Sequence, residues 1–88
     1  MLRITASASP PHTVTLRLEG QVIGRWVAEL QKSCDEVTAN GDRVVLDLVG
    51  VSFIDKDGLS LLNDLADHDI SLVNSSRFVA ELLKEGGS

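Results

Sequence analysis

Asp55-Lys56-Asp57-Gly58 sets two carboxylates and an ammonium before a glycine, immediately ahead of Leu59, Leu62, Leu65 and Ala66, whose spacing predicts a helix. A helix start has unpaired N–H groups and the positive end of the macrodipole, and each of these stabilises a nearby carboxylate by roughly 0.3–1 kcal/mol. Asp55 is therefore expected as the N-cap and Asp57 as a first-turn carboxylate. The same turn is a candidate binding surface. Lys56 is a mobile cation between two anions, and Gly58 lets another backbone approach closely. Over Ser52 to Ser60, a partner would be selected mainly by charge complementarity.

Other reactive residue types form no comparable constellation. Asp64, Asp67, His68 and Asp69 offer oxygen ligands and one imidazole, but a second ligand cluster at a metal-binding spacing is lacking, and His12 lies in another turn. A solvated loop at a helix end is the expectation there, and no metal or cofactor is implied. Cys34 falls four residues after Leu30 on an apolar helix face, where cysteine acts as filler. The serines lie in loops and tails with no Ser-His-Asp or Cys-His partner set, so no residue is assigned a catalytic role and the chain is not expected to be an enzyme. Gly20 and Gly24 lack the remaining residues of a phosphate-cradling loop, and close packing is expected of both. Val44-Val45-Leu46-Asp47-Leu48 looks like the acceptor strand of a phosphate-receiving domain. The first strand, however, ends in Thr5-Ala6-Ser7 and not in an acidic pair, so Asp47 is expected as a polar residue near the end of the sheet.

The 88 residues suit one domain with one core, and 43% hydrophobic residues are enough to build it. Aromatic side chains are limited to Trp26, Phe53 and Phe78, so Leu, Val and Ile must fill that core. Trp26 is expected in the core, with an alternative place on a homodimer surface, and the chain as a monomer or weak homodimer. A net charge of −5 with scattered Lys and Arg argues against nucleic acid and against an anionic membrane surface. The apolar runs are far shorter than the ~20 residues of a membrane-spanning helix. No secretory signal is visible at Met1-Leu2-Arg3-Ile4-Thr5, and a lone cysteine fits a reducing compartment, so the expected location is cytoplasmic.

The elements that would hold the acidic turn follow from periodicity. Leu2–Thr5 reads as a short strand and Ala6–Pro11, with both prolines, as a turn. Thr13–Glu19 alternates Val14, Leu16 and Leu18 against Thr15, Arg17 and Glu19, as a half-buried strand does. After Gly20, the residues Ile23, Trp26, Val27, Leu30, Cys34 and Val37 mark a helix that stops at Asn40-Gly41. Arg43–Val49 reads as a central parallel strand buried on both sides. Ile70–Val73 is a last strand, Asn74 or Ser75 caps a final helix carrying Phe78, Val79, Leu82 and Leu83, and Gly86-Gly87-Ser88 is a frayed tail. The order β-β-α-β-α-β-α implies a small α/β fold, a mixed and mainly parallel four-stranded sheet covered by about three helices, with the first strand antiparallel at an edge.

From Val45-Leu46-Asp47-Leu48-Val49-Gly50 through Val51-Ser52-Phe53-Ile54 to Asp55-Lys56-Asp57-Gly58-Leu59, the chain resembles the signature of STAS domains, the family of anti-sigma-factor antagonists. Leu16-Arg17-Leu18-Glu19-Gly20 resembles that family's second strand and following glycine, and Leu72-Val73-Asn74 its last sheet strand. The segment before the last strand is compressed, and the C-terminal helix is short. The resemblance implies a non-enzymatic module that binds a protein partner such as an anti-sigma factor of the serine-kinase type, with phosphorylation of a hydroxyl just before the helix-start glycine as the switch. Asp57 occupies the matching position, so the usual acceptor is missing, and Ser60 and Ser52 are the nearest alternative hydroxyls. A carboxylate imitates a phosphate of about −1.5 to −2 charge poorly, and a constitutive binding state is the expectation. The same resemblance implies an alternative, an accessory subunit of a membrane ABC (lipid) transporter.

Overall fold

A computed structural model describes residues 1–86, with side chains through Leu83. The elements are β1 (Leu2–Ser9), β2 (Thr13–Val22), α1 (Arg25–Ala39), β3 (Arg43–Ile54), α2 (Lys56–Asp67), β4 (Ser71–Val73) and α3 (Arg77–Gly86). The strands form one sheet in the order β1-β2-β3-β4. β1 is antiparallel to β2, whereas β2–β3 and β3–β4 are parallel. This is the expected α/β architecture, with an antiparallel edge strand and three helices among the described residues.

Because β2, β3 and β4 are neighbours in chain order, right-handed crossovers carry α1 and α2 to the same face of the sheet. One cluster therefore holds Leu16, Leu18 and Val22 of β2, Val44, Leu46 and Leu48 of β3, Leu30 and Cys34 of α1, Leu62 of α2 and Val79 of α3. The expectation that β3 is buried on both faces does not hold. Val44, Leu46 and Leu48 are buried, Val45 and Asp47 only partly, and Val49 is 53% exposed. Branched aliphatics on the uncovered face had imitated a doubly covered strand.

β3 is also longer than expected, running on through Val51-Ser52-Phe53-Ile54. Its parallel register with β2 breaks between Arg17 and Glu19 and again between Gly20 and Gln21, so that between the pairs Val14↔Val44 and Val22↔Ile54 β3 uses two more residues than β2. Each extra residue shifts the side-chain alternation, and the buried positions step from Leu48 to Val51 to Ile54. Without these bulges, Val51 and Ile54 could not both face the helices.

The β1–β2 turn is Pro10-Pro11-His12, with a cis Pro10–Pro11 bond and His12 at φ 48. Ala6–Ser9, expected in the turn, pair with β2 as far as Ser9↔Thr13. These small residues are exposed on both faces, so backbone pairing alone holds them and no hydrophobic period marked them as strand. β2 likewise continues through Gly20 to Val22. Gly20 bears out close packing, since a Cβ there would collide with the Met1 carbonyl, which accepts a hydrogen bond from Gln21 N–H at 2.9 Å.

α1 stops where Asn40-Gly41 predicts. Gly41 N–H donates to Thr38 O and Asp42 N–H to Val37 O, the paired bonds of a Schellman end. α2 ends similarly, with Ile70 N–H donating to Leu65 O, but Asp69 occupies the left-handed position at φ 65. The cap of α3 is Ser76, whose Oγ accepts from Val79 N–H at 3.2 Å, and not Asn74 or Ser75. Asn74 instead donates from Nδ2 to Asp47 Oδ1 at 3.2 Å, which also accepts from Val49 N–H at 3.0 Å. Of the expected tail, Gly86 ends α3, and residues 87 and 88 lie outside the described residues.

Two substitutions test this backbone account with opposite signs. Asp69→Gly relieves a left-handed aspartate and should raise stability by about 0.5–1 kcal/mol. Gly20→Ala forces the Met1 strand end away and should lower it by about 1–3 kcal/mol. Urea midpoints at constant m-value measure both.

Candidate functional site

β3 delivers the chain to α2 at Ile54, and the next residue is extended at φ −83, ψ −179. From there the Asp55 carboxylate makes two bonds of different kinds. Oδ1 accepts from Gly58 N–H at 2.7 Å and caps α2, while Oδ2 accepts from Gly24 N–H at 2.9 Å, across the crevice between the β2–α1 and β3–α2 connections. The Asp55 backbone continues the tie, with its N–H donating to Val22 O at 3.1 Å and its carbonyl accepting from Leu59 N–H at 2.9 Å. The N–H groups of Gly24, Gly58 and Asp57 hold the Asp55 carboxyl below the usual carboxylate range, against a smaller opposing effect of burial.

Gly58 is buried, and the backbone it admits belongs to the chain itself. A Cβ there would strike Val22 O and stand 3.0 Å from Ile54 Cγ2 and Val22 Cγ1. The glycine thus seats α2 on the end of β2. Lys56 and Asp57, by contrast, are exposed and point from a turn whose backbone is bonded on both sides. Ser60 is exposed one turn later along α2. Ser52 is exposed on the bulged end of β3, and its Oγ donates to Gly20 O at 3.1 Å.

The β2–α1 connection belongs to this surface and was not singled out from the sequence. Gly24 does not serve close packing as expected. No atom lies within 4 Å of a Cβ built on it, and its φ of 54 is what calls for glycine there. It precedes α1 as an N-cap without a side-chain bond, and Asp55 supplies the acceptor. Arg25 follows, with its guanidinium carbon 4.9 Å from the centre of the half-buried Trp26 ring. An asparagine or serine at position 24 would have advertised the helix start, whereas glycine hid it.

The remaining candidates lie apart from this turn. Cys34 is buried, as its place on the helix predicts, and burial together with Asp35 pushes its thiol up to about 11, so it is protonated at neutral pH. His68 sets Nδ1 2.6 Å from the Asp64 carbonyl in its own helix end. Among the described residues, no group of three or more His, Cys, Asp or Glu could hold a metal ion, and no helix is long and apolar enough to cross a membrane.

Residues 5–87 match the family model described as "Mlab, STAS domain". The chain belongs to that STAS family. Its fold is similar to that of the anti-sigma factor antagonist SpoIIAA in its unphosphorylated form, with a TM-score of 0.74 at 17% identity over 93% of this chain and 82% of that one. It is also similar to part of the solved structure of Mglu, with a TM-score of 0.68 at 18% identity over 83% of this chain and 20% of that one. At these identities the two structures speak for the fold. No curated protein sequence matches the chain. A STAS domain accordingly accounts for the sheet order, and the Asp55–Gly24 bond shows how this one joins two connections into one surface.

The linkage sign for Asp55 follows from its lowered pKa. The carboxylate contributes stability in full above the ordinary aspartate pKa of about 3.9, and that contribution is lost as pH falls through the lower folded value. Asp55→Asn should therefore flatten the acid limb of stability against pH, and Asp55→Ala should cost about 1 kcal/mol or more at pH 7. Acid titration of unfolding midpoints for the three proteins checks this. Gly58→Ala should destabilise by about 1–3 kcal/mol, because the collision is with backbone.

Proposed function

We propose that this STAS domain is a non-catalytic regulatory module that binds a protein partner in the manner of an anti-sigma-factor antagonist, through the start of α2. The observation that carries the reading is the exposed Lys56–Asp57 pair on a turn held by Asp55. A charged surface costs little to order on binding when its backbone is already fixed. The residues assigned to contact are Asp55, Lys56 and Asp57, with Gly58 as the seat beneath them and Arg25 as a neighbour across the Asp55–Gly24 bond.

The partner in this reading is a soluble, ATP-binding, kinase-like anti-sigma factor in the cytoplasm. Asp57 stands where the phosphoacceptor hydroxyl is expected, so the usual kinase cannot toggle the interaction and binding is constitutive. Ser60 and Ser52 remain as exposed hydroxyls close to the turn. A second reading, an accessory subunit of a membrane ABC (lipid) transporter, is favoured by this same lack of a hydroxyl, since a permanently bound subunit needs no switch. The partner's identity separates the two.

Affinity capture with the wild type, Asp57→Ser and Asp57→Lys, followed by mass spectrometry, tests the assignment. A kinase-like anti-sigma factor should be retained by the wild type and weakened at least tenfold by Asp57→Lys and by high salt. Recovery of an ABC-type ATPase would support the second reading. Kinase-dependent phosphate on Ser60 or Ser52 that changes affinity would overturn the constitutive state.

A further inference from the structure

Residues of α1 and α2 line a groove of about 640 Å³. Its residues recur with helical spacing, from Val27 to Thr38 on α1 and from Asp57 to His68 at the end of α2, so the groove follows both helices for about 16 Å, or three turns. Its floor is a narrow apolar strip, made of the half-buried Val27 and the small parts of Leu61 and Leu65, 7% and 9%, that the core leaves uncovered. Asp35, Asp57 and Asp64 line its sides, all three exposed, and among the described residues no Lys or Arg lines it. Among the described side chains, none of the three carboxylates forms a salt bridge.

We infer that this groove receives a basic amphipathic helix of the partner protein. The inference rests on the reading of the domain as a protein-binding module and names the chemistry of what it binds. A helix is the fitting occupant because the groove is bounded by two helices and lined by residues of both over about three turns. Asp57 and Asp64 stand seven residues apart on α2, about 10 Å along the axis, which matches Lys or Arg at positions i and i+7 of a helix alongside. The occupant's apolar stripe meets Val27, Leu61 and Leu65, and its cations meet the carboxylates on either side. Asp57 then belongs to two surfaces, the helix start and the upper end of the groove, so the partner's contact runs from one into the other.

The probe is a designed helical peptide of Leu and Ala with Lys at i, i+3, i+4 and i+7, alongside the same peptide carrying Glu for Lys. Binding is read by fluorescence anisotropy and located by methyl NMR of the intact domain. The Lys peptide should shift the Val27, Leu61 and Leu65 methyls and lose at least tenfold in affinity in Asp35→Lys/Asp64→Lys, a variant at exposed positions that also gains affinity for the Glu peptide. Methyl shifts elsewhere, or unchanged affinity in that variant, would overturn the groove. With the captured native partner, loss on Asp57→Lys but not on Asp35→Lys/Asp64→Lys would reject the groove and leave the helix-start reading standing. Loss on Asp35→Lys/Asp64→Lys, with Lys56→Glu unaffected, would support the groove and reject the helix start.

Discussion

The carbonyl of Val22 sits where β2 ends, and α2 has to begin against it. It accepts the Asp55 N–H, and it lies so near residue 58 that any side chain there would collide with it. This close approach sets the angle at which the chain leaves β3 and the depth at which α2 rests on the sheet. Leu61, Leu62 and Leu65 reach the core because the first turn of their helix can come this close to β2. The same proximity brings Asp55 within reach of Gly24, so a close backbone contact also assembles an exposed charged turn.

Asp55 has two roles that a cap alone would not combine. As an N-cap it satisfies an N–H of its own helix, and as an acceptor for Gly24 it holds the start of α1, which lacks a side-chain cap. One carboxylate thereby fixes two helix starts relative to each other. That pairing leaves Lys56 and Asp57 on a surface with little backbone freedom to lose on binding. It also fixes the upper end of the α1–α2 groove, where Asp57 takes part.

The two bulges in β3 solve a related problem. A strand that carries apolar residues at 44, 46, 48, 51 and 54 cannot keep them on one face with strict alternation. The extra residues opposite β2 restore the alternation twice and carry Ile54 to its place across from Val22, directly before the acidic turn. Their cost is an irregular outer edge on which Val49, Ser52 and Phe53 are exposed.

Much of this was legible in the sequence. Strict alternation over Val14, Leu16 and Leu18, the three- and four-residue spacing of α1 and α2, the Asn40-Gly41 stop and Asp55 as a cap each record a local rule that holds without neighbours. The resemblance around Asp55-Lys56-Asp57-Gly58 pointed to the family that the match over residues 5–87 shows. What the sequence left open depends on which surfaces meet. Ala6–Ser9 are strand because β2 pairs with them, β3 is covered on one face because both crossovers turn the same way, and Gly24 matters because Asp55 lies opposite. Gly58 admits a backbone, as its residue type suggests, but that backbone is Val22 of the same chain, and only the tertiary contact could say so. Periodicity and capping are set by residues within a few positions of each other. Register, bulges, the Asp55–Gly24 bond and the acidic groove join residues of which some lie more than thirty positions apart, and these were decided when the sheet closed.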